Sequence, residues 1–371
     1  MKIFHVIENL EDSYGGPAKS VPALAKGQKD RGHEVKLISG YKKNNHNELI
    51  SRYKLEWLAY KTIDFLNIKL GLSFGLFRCL YNLCRKQRPD LIHFHNLWNF
   101  TPLFGFIMCK LFRIPYVISS RGAISKWSLS QGKFRKHFSL LFFQRKMLEQ
   151  AKFIHVTSVD EFNDLRAMKI VNKARIIPNA TNLSIASTPK PRSDLSQYIF
   201  IGRINKKKNL HTLINAFNQF NKHTKCKLLI VGPVEDKNYF MQLKKMSIKG
   251  SLSCCISFLG HQDHGAISKL VKKSSFLILP SFSENFGMVV LESLCYGLPV
   301  ITSESTPWKR VKDLKAGFVC GVDQESIIDA LIKSHSLTNK EYKEMSQNAL
   351  NLASEYSLNS VAKIMLESYS E

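Results

Sequence analysis

The chain has 371 residues, long for a single hydrophobic core, so two domains are expected. A hydrophobic share of 44% with 22% charged residues is that of a soluble globular protein, and no apolar run reaches the ~18–20 residues that span a bilayer. The formal charge of +25, from 54 basic and 29 acidic residues, is the outlier and attracts polyanions: nucleic acid, an anionic membrane surface, or nucleotide and diphosphate ligands.

The start, Met1 to Ile7, reads as a first strand and not as a signal peptide, which points to the cytoplasm. The eight cysteines form no C-x-x-C and no Cys/His cluster at zinc spacing, so buried, reduced thiols are expected. Gly15-Gly16-Pro17-Ala18 then opens a helix over Lys19–Arg31. Its two glycines let the backbone approach a ligand closely, and a proline is tolerated in a first helical turn. Neither the P-loop spacing nor G-x-G-x-x-G is present, so a dinucleotide site has little support.

Further strands are expected at Glu34–Ser39, Leu91–Phe94, Tyr116–Ser119, Phe153–Thr157 and Arg175–Ile177, separated by helices. A βα series of this kind gives a parallel sheet covered on both faces. His93 and His95 alternate to one face; strand-end His95 reads as the cleft residue and His93 as a core histidine. The pair also has the i, i+2 spacing of a metal site, but no companion cluster completes one in the sequence. Arg121, after Ser119-Ser120, ends the next strand on the same side.

Lys126 to Lys146 concentrates charge, with Lys133, Arg135, Lys136, Arg145 and Lys146 interleaved with Phe134, Phe138 and Phe142 at helical spacing. Such a basic amphipathic helix, 133–146, either meets an anionic membrane surface or packs its Phe stripe on its own domain under a solvated basic rim.

Asn182 to Gln197 is rich in Ser, Thr, Pro and Asn and reads as a linker. The strand series then restarts at Tyr198–Ile201, Lys227–Val231, Ile256–Leu259, Phe276–Leu279, Pro299–Thr302 and Gly317–Cys320. The expected domains are therefore 1–182 and 198–357 with a linker over 183–197, and a helix over 358–371 that crosses back to the first domain is one possible ending. Two Rossmann-like domains with a ligand cleft between them is the simplest architecture.

Two segments of the second half carry chemistry. After a strand, Gly202-Arg203 leads to Lys206-Lys207-Lys208 and a helix. Arg203 offers a planar fork and Lys208 a point charge, a pair suited to a diphosphate, whereas Lys206 and Lys207 read as an ordinary basic loop. The strand Phe276–Leu279 ends at Pro280; Glu284 sits in the following loop, Gly287 opens a helix, and Glu292 lies on it. Seven residues separate the two glutamates. Carboxylates accept hydrogen bonds from sugar and ribose hydroxyls, and a helix start favours the phosphates between them. The bland reading is a solvated helix with two surface acids.

Taken in order, the Gly15-Gly16 loop, His95, Arg121-Gly122, Ile177-Pro178-Asn179, Gly202-Arg203 with Lys208, Phe258-Leu259-Gly260, Pro280-Ser281 and Glu284/Glu292 resemble a family 4 retaining glycosyltransferase of the GT-B fold over essentially the whole chain. Thr306-Pro307-Trp308 and Arg121-Gly122-Ala123 resemble the branch that builds bacterial lipopolysaccharide and capsule. The resemblance implies that Arg203 and Lys208 hold the donor diphosphate and that Glu284, with the backbone of Asn285, Phe286, Gly287 and Met288, contacts the donor sugar. It implies that Glu292 binds the ribose, that residues near Gly260 border the base, that His95 meets the sugar near its reacting end, and that Gly16 abuts the phosphates. It further implies a UDP- or GDP-sugar donor, a glycan or lipid-linked acceptor, no cofactor and no metal. The absence of any D-x-D motif argues in the same direction. Many family members have Lys-Gly where this chain has Lys208-Asn209.

Two other classes share some of these features. A GT-B sugar-nucleotide epimerase has the same two-domain plan and needs no acceptor. A non-catalytic basic membrane- or nucleic-acid-binding protein would explain the charge, but no nucleic-acid reader motif is present and the basic residues are spread over both halves. The expected location is cytoplasmic, peripheral on the inner face of the plasma membrane.

Overall fold

The computed structural model describes residues 1–10, 16–41, 53–61, 73–97, 100–124, 144–170, 174–192, 197–248 and 255–371. Gly15 and the stretch from Lys126 to Phe142, with Lys133, Lys136 and the Phe stripe, lie outside them. The chain forms two compact units, residues 1–182 with 356–371, and residues 183–355.

The first unit runs β1 (Lys2–Ile7), α1 (Gly16–Asp30), β2 (Glu34–Tyr41), β3 (Glu56–Lys61), α2 (Phe74–Gln87), β4 (Leu91–His95), α3 (Phe100–Phe112) and β5 (Tyr116–Ser119). It continues with α4 (Arg145–Glu149), β6 (Ile154–Val156), α5 (Val159–Ala167) and β7 (Ala174–Ile176). All seven strands are parallel, in the order β3-β2-β1-β4-β5-β6-β7. A parallel sheet is covered on both faces, which is why β4 and β5 are buried at every residue. One face packs on α2 to α5 through Phe4, Val6, Ile92, Phe94, Ile118 and Ile154. The other face meets α1 and the C-terminal helix through Ile3, Leu91, Val117 and Phe153. β3 has no counterpart among the expected strands. It is an edge strand whose ends are charged, and Lys36 of β2 pairs with its Glu56 at 2.6 Å, so its apolar signal is short.

The second unit runs β8 (Gln197–Ile201), α6 (Leu210–Phe220), β9 (Lys227–Val231), α7 (Lys237–Ile248), β10 (Ile256–Gly260) and α8 (His264–Lys273). β11 (Phe276–Leu279), α9 (Met288–Cys295), β12 (Val300–Ser303), α10 (Arg310–Asp313), β13 (Gly317–Cys320), α11 (Gln324–His335) and α12 (Asn339–Ser354) follow. The six strands are parallel in the order β10-β9-β8-β11-β12-β13.

Two boundaries differ from the sequence expectation. Residues 183–192 are docked on the second unit rather than forming a free linker. Ala186 N–H donates to the Cys295 carbonyl at 2.9 Å, Lys190 N–H to Ser346 Oγ at 2.7 Å, and Arg192 to the His335 carbonyl at 2.6 Å. The Lys190 ammonium caps the end of α8 by donating to Val271 and Ser274 carbonyls, and burial pushes its pKa down to about 8. Tyr356 and Ser357 belong with the first unit, as does α13 (Leu358–Ser370), which packs along α1. Gly27 permits that approach: a Cβ there would lie 2.8 Å from both Ala362 Cβ and the Leu358 carbonyl oxygen. Among the described residues no helix is long and apolar enough to cross a membrane.

Candidate active site

In each sheet the chain reverses its direction of strand addition once, between β1 and β4 and between β8 and β11. Open α/β sheets bind ligands in the crevice beyond the strand ends at such a point.

In the second unit Lys208 follows β8 and Glu284 follows β11, so the two flank the switch point. Their Nζ and Oε1 atoms are 2.5 Å apart, with side-chain exposures of 14% and 10%. Ser281 Oγ donates to the same carboxylate oxygen at 2.7 Å. Burial would raise the Glu284 carboxyl, but the Lys208 charge and hydrogen bond, with help from Ser281 and Lys207, outweigh it and hold the pKa below its ordinary value. Arg203 is exposed and pairs with Glu235 at 2.8 Å. Lys207 is not a plain solvated residue: burial lowers its pKa, with Glu284 opposing.

The departure at Asn209 has a backbone cause. Its φ of +56° is left-handed, where glycine is free of strain and asparagine is the best-tolerated substitute. The fully buried Asn209 side chain also donates to the Val322 carbonyl at 2.7 Å.

Gly287 opens α9 at φ +74°. A Cβ there would lie 3.3 Å from Trp308 Nε1. Trp308 is buried, donates its indole N–H to the Phe286 carbonyl, and meets the Phe286 ring edge-on at 5.2 Å. Trp308 thus ties down the backbone of the Glu284–Met288 loop, a role the sequence did not show. Ser303 adds a second tie, donating to the Ser281 carbonyl at 2.5 Å. Glu292 lies half-buried on α9, a turn beyond the helix start. Three glycines line the same sheet edge: Gly202, Gly232 and Gly260 follow or end β8, β9 and β10. Gly232 N–H donates to the Gly260 carbonyl at 2.8 Å, and a Cβ on Gly232 would overlap the Gly202 carbonyl. Gly260 itself, at φ +66°, faces open space. Gly232 was not singled out from the sequence; its signal is the strand-end string Val231-Gly232-Pro233.

In the first unit His95 ends β4 opposite Ile7 of β1, at the other switch point. It belongs to a chain of eight hydrogen bonds with one direction. Arg121 donates to His95 Nδ1 (3.2 Å), His95 Nε2 to His5 Nδ1 (2.8 Å), His5 Nε2 to Gln28 Oε1 (2.7 Å), and Gln28 Nε2 to the Tyr369 hydroxyl (3.3 Å). Tyr369 then donates to His93 Nδ1 (2.5 Å), His93 Nε2 to Ser119 Oγ (2.6 Å), Ser119 to His155 Nδ1 (2.6 Å), and His155 Nε2 to the Ile177 carbonyl (2.8 Å). A guanidinium can only donate and a carbonyl can only accept, so both ends impose the same polarity and all four histidines are neutral Nε2–H tautomers. Burial lowers the pKa of each.

The sequence offered no companion for His93 and His95, and the fold supplies His5. Ring nitrogens of the three lie within 4.8 Å of one another. Their Nδ1 lone pairs are occupied by hydrogen-bond donors, so the cluster reads as a polar core network. His93 is the expected core histidine, but His95 is equally buried, and both of its ring nitrogens are engaged. A sugar contact by that ring would have to displace His5 or Arg121.

Arg121 and Gly122 adopt consecutive left-handed conformations, φ +51° and +74°. The buried Glu161 carboxylate holds this turn, accepting from Gly122 N–H (2.5 Å), Ser120 Oγ (2.6 Å) and Thr157 N–H (2.8 Å). Arg121 also donates to Ser20 at 2.9 Å and to Asn179, while its Nε–H is buried without a hydrogen-bond partner. Burial pushes its pKa down to about 10. Gly16, at the start of α1, is half-buried.

Comparison with known proteins matches both units. The family described as "Glycosyl transferase 4-like domain" matches residues 15–180, and "Glycosyl transferases group 1" matches residues 186–352. An uncharacterized glycosyltransferase of Methanocaldococcus jannaschii is 24% identical over 292 residues, 78% of this chain and 75% of its own. The alpha-monoglucosyldiacylglycerol synthase of Streptococcus pneumoniae is 22% identical over 365 residues, 90% of this chain and 80% of its own. Among solved structures, Anabaena HepE in complex with UDP and glucose superposes with a TM-score of 0.78 at 15% identity, covering 100% of this chain and 99% of that one. With two parallel α/β units each matched in order, the chain is a GT-B-fold glycosyltransferase and belongs to the family 4, group 1 glycosyltransferases.

Proposed function

We propose that this enzyme moves a sugar, with retention of configuration and without a metal, from a nucleoside-diphosphate sugar to a glycan or lipid-linked acceptor in bacterial surface polysaccharide synthesis. The observation that carries the reading is the Lys208–Glu284 pair at the switch point of the second sheet, beside a glycine-lined edge and the start of α9. In this proposal the donor diphosphate takes up the charge of Lys208 and Arg203, and Glu284 and Glu292 accept hydrogen bonds from sugar and ribose hydroxyls. The structural neighbour in complex with UDP and glucose supports a UDP-sugar donor, and the relative named as an alpha-monoglucosyldiacylglycerol synthase supports a lipid acceptor.

The bond from the anomeric carbon to the diphosphate breaks, the bond from the acceptor oxygen forms on the same face, and the acceptor proton passes to a departing phosphate oxygen. Fixed cations in a partly dry site stabilise that leaving charge without reorganisation. Gly16 serves the phosphate end, and His95 and Arg121 reach the donor only where it displaces a bond of the buried network, His5 or Arg121 from the His95 ring or Ser20 from Arg121. An anionic membrane surface is the proposed platform for the lipid acceptor.

The test is a donor screen of UDP- and GDP-sugars, reading thermal stabilisation and donor hydrolysis with and without a chelator. Stabilisation by one donor, unchanged by chelator, is expected. No stabilisation by any nucleotide sugar, or activity abolished by the chelator and restored by a divalent ion, overturns the reading.

A further inference from the structure

We infer that the outer face of α2 and α3 is a docking surface for an anionic lipid bilayer. The two helices lie side by side on the sheet face opposite α1 and α13, joined by edge-on ring contacts of Phe77 with Phe104 at 5.9 Å and Tyr81 with Phe112 at 5.6 Å. Large apolar side chains stand out from them: Phe74 is 79% exposed, Leu111 61%, Ile107 44% and Phe77 39%. Phe74 and Phe77 share one helical stripe and Ile107 and Leu111 another, and the Phe77–Phe104 contact joins the stripes. Scattered single apolar residues are normal on a surface, but a joined group of this kind marks an interaction site.

The charges name the partner. Arg78, Arg85, Lys86 and Lys110 are exposed on the two helices, and Arg88 and Arg113 are exposed just beyond their ends. Residues 73–89 and 100–116 contain no Asp or Glu. Apolar side chains that enter the headgroup boundary, framed by cations that meet lipid phosphates, are the two components of binding in the plane of a membrane. The Lys110 ammonium lies 5.9 Å from the Phe106 ring centre. A second copy of this face would bring like charges together, which disfavours self-association.

In a parallel sheet each helix begins at the strand carboxyl ends. Phe74, Phe77 and Phe104 therefore lie toward the edge that carries His95 and Arg121. A bilayer docked there would bring a lipid-borne acceptor to the working edge of the first unit. This inference rests on the membrane platform proposed above and names the surface; donor binding is independent of it.

The test uses the full chain and vesicles of phosphatidylcholine with or without phosphatidylglycerol. Wild type is expected to co-sediment with the anionic vesicles, more weakly as salt rises. Phe74→Ser with Leu111→Ser, and separately Arg78→Glu with Lys110→Glu, are each expected to lower vesicle affinity about tenfold or more, with melting temperature and donor binding unchanged. No vesicle binding by wild type at low salt overturns the membrane platform itself. Wild-type affinity in both pairs, with loss instead in Lys133→Glu/Lys136→Glu, overturns this surface alone. A lipid-independent dimer that Phe74→Ser/Leu111→Ser dissolves also overturns it, assigning the face to a second copy.

Discussion

The Lys208–Glu284 pair makes a sharp demand on single residues. Removing one partner of a mostly buried ion pair leaves an uncompensated charge and costs about 3–5 kcal/mol, toward the low end here because both side chains keep some exposure. Glu284→Ala should therefore lower the melting temperature and reduce kcat/KM by about 10²-fold or more. Lys208→Ala with Glu284→Ala should recover much of the stability and none of the activity. Full turnover in either variant removes the pair from the site. Asn209 gives a second residue-level prediction. Asn209→Gly trades left-handed strain for the lost bond to Val322 and should change stability by less than about 1 kcal/mol, whereas Asn209→Ala keeps the strain, loses the bond, and should cost about 1–2 kcal/mol. Urea titrations that rank the two variants the other way would refute the backbone account. The positions of Lys208 and Glu284 after strand ends, and of Glu292 inside the helix, were legible in the sequence because short apolar strands and a glycine helix start frame them. Trp308 was not, because its contact with Phe286 spans a whole strand and leaves no periodic trace.

At the scale of elements, the sequence revealed the alternation of strands and helices, since buried parallel strands are short apolar runs bounded by loops. It did not reveal β3, whose ends are charged, nor the docking of residues 183–192, whose composition mimics a linker while Lys190 and Arg192 reach helix-end carbonyls. Nor did it fix how α13 is held. Close helix approach depends on Gly27, and the join depends on Tyr369, which accepts from Gln28 and donates to His93. Gly27→Ala places a methyl where Ala362 and the Leu358 carbonyl already stand, and should cost about 1–3 kcal/mol. Tyr369→Phe keeps the ring contacts but strands the Gln28 amide and the His93 nitrogen, at about 1–3 kcal/mol. Hydrogen exchange should then rise in both α1 and α13. Protection equal to wild type in both variants would mean that the helix is held elsewhere.

At the scale of the molecule, the four buried histidines tie folding to pH. Each titrates near 6.5 when the chain is unfolded; in the fold, burial lowers His5 to about 4 and His155 to about 3, and moves His93 and His95 well below 6.5. Above pH 6.5 all four are neutral in both states and the network contributes in full. As pH falls below 6.5 the unfolded chain gains protons that the folded chain refuses. For His5 and His155 stability then falls by roughly 1.4 kcal/mol per group per pH unit, until their folded pKa values of about 4 and about 3 are reached. His5 and His155 alone remove roughly 4 kcal/mol by pH 5, and His93 and His95 act in the same direction, against the ~5–15 kcal/mol that holds a typical domain together. The second unit's shifted histidines, His211 and His335, are only partly buried, so acid should act on the first unit first. Hydrogen exchange at pH 7, 6 and 5, corrected for intrinsic rates, should show protection lost in β1 and β4 while β8 and β11 keep theirs. His155→Gln retains a side-chain donor toward the Ile177 carbonyl and removes one titrating group, so it should flatten the decline. A first unit as protected at pH 5 as at pH 7 would show that the histidines are not held neutral by the fold.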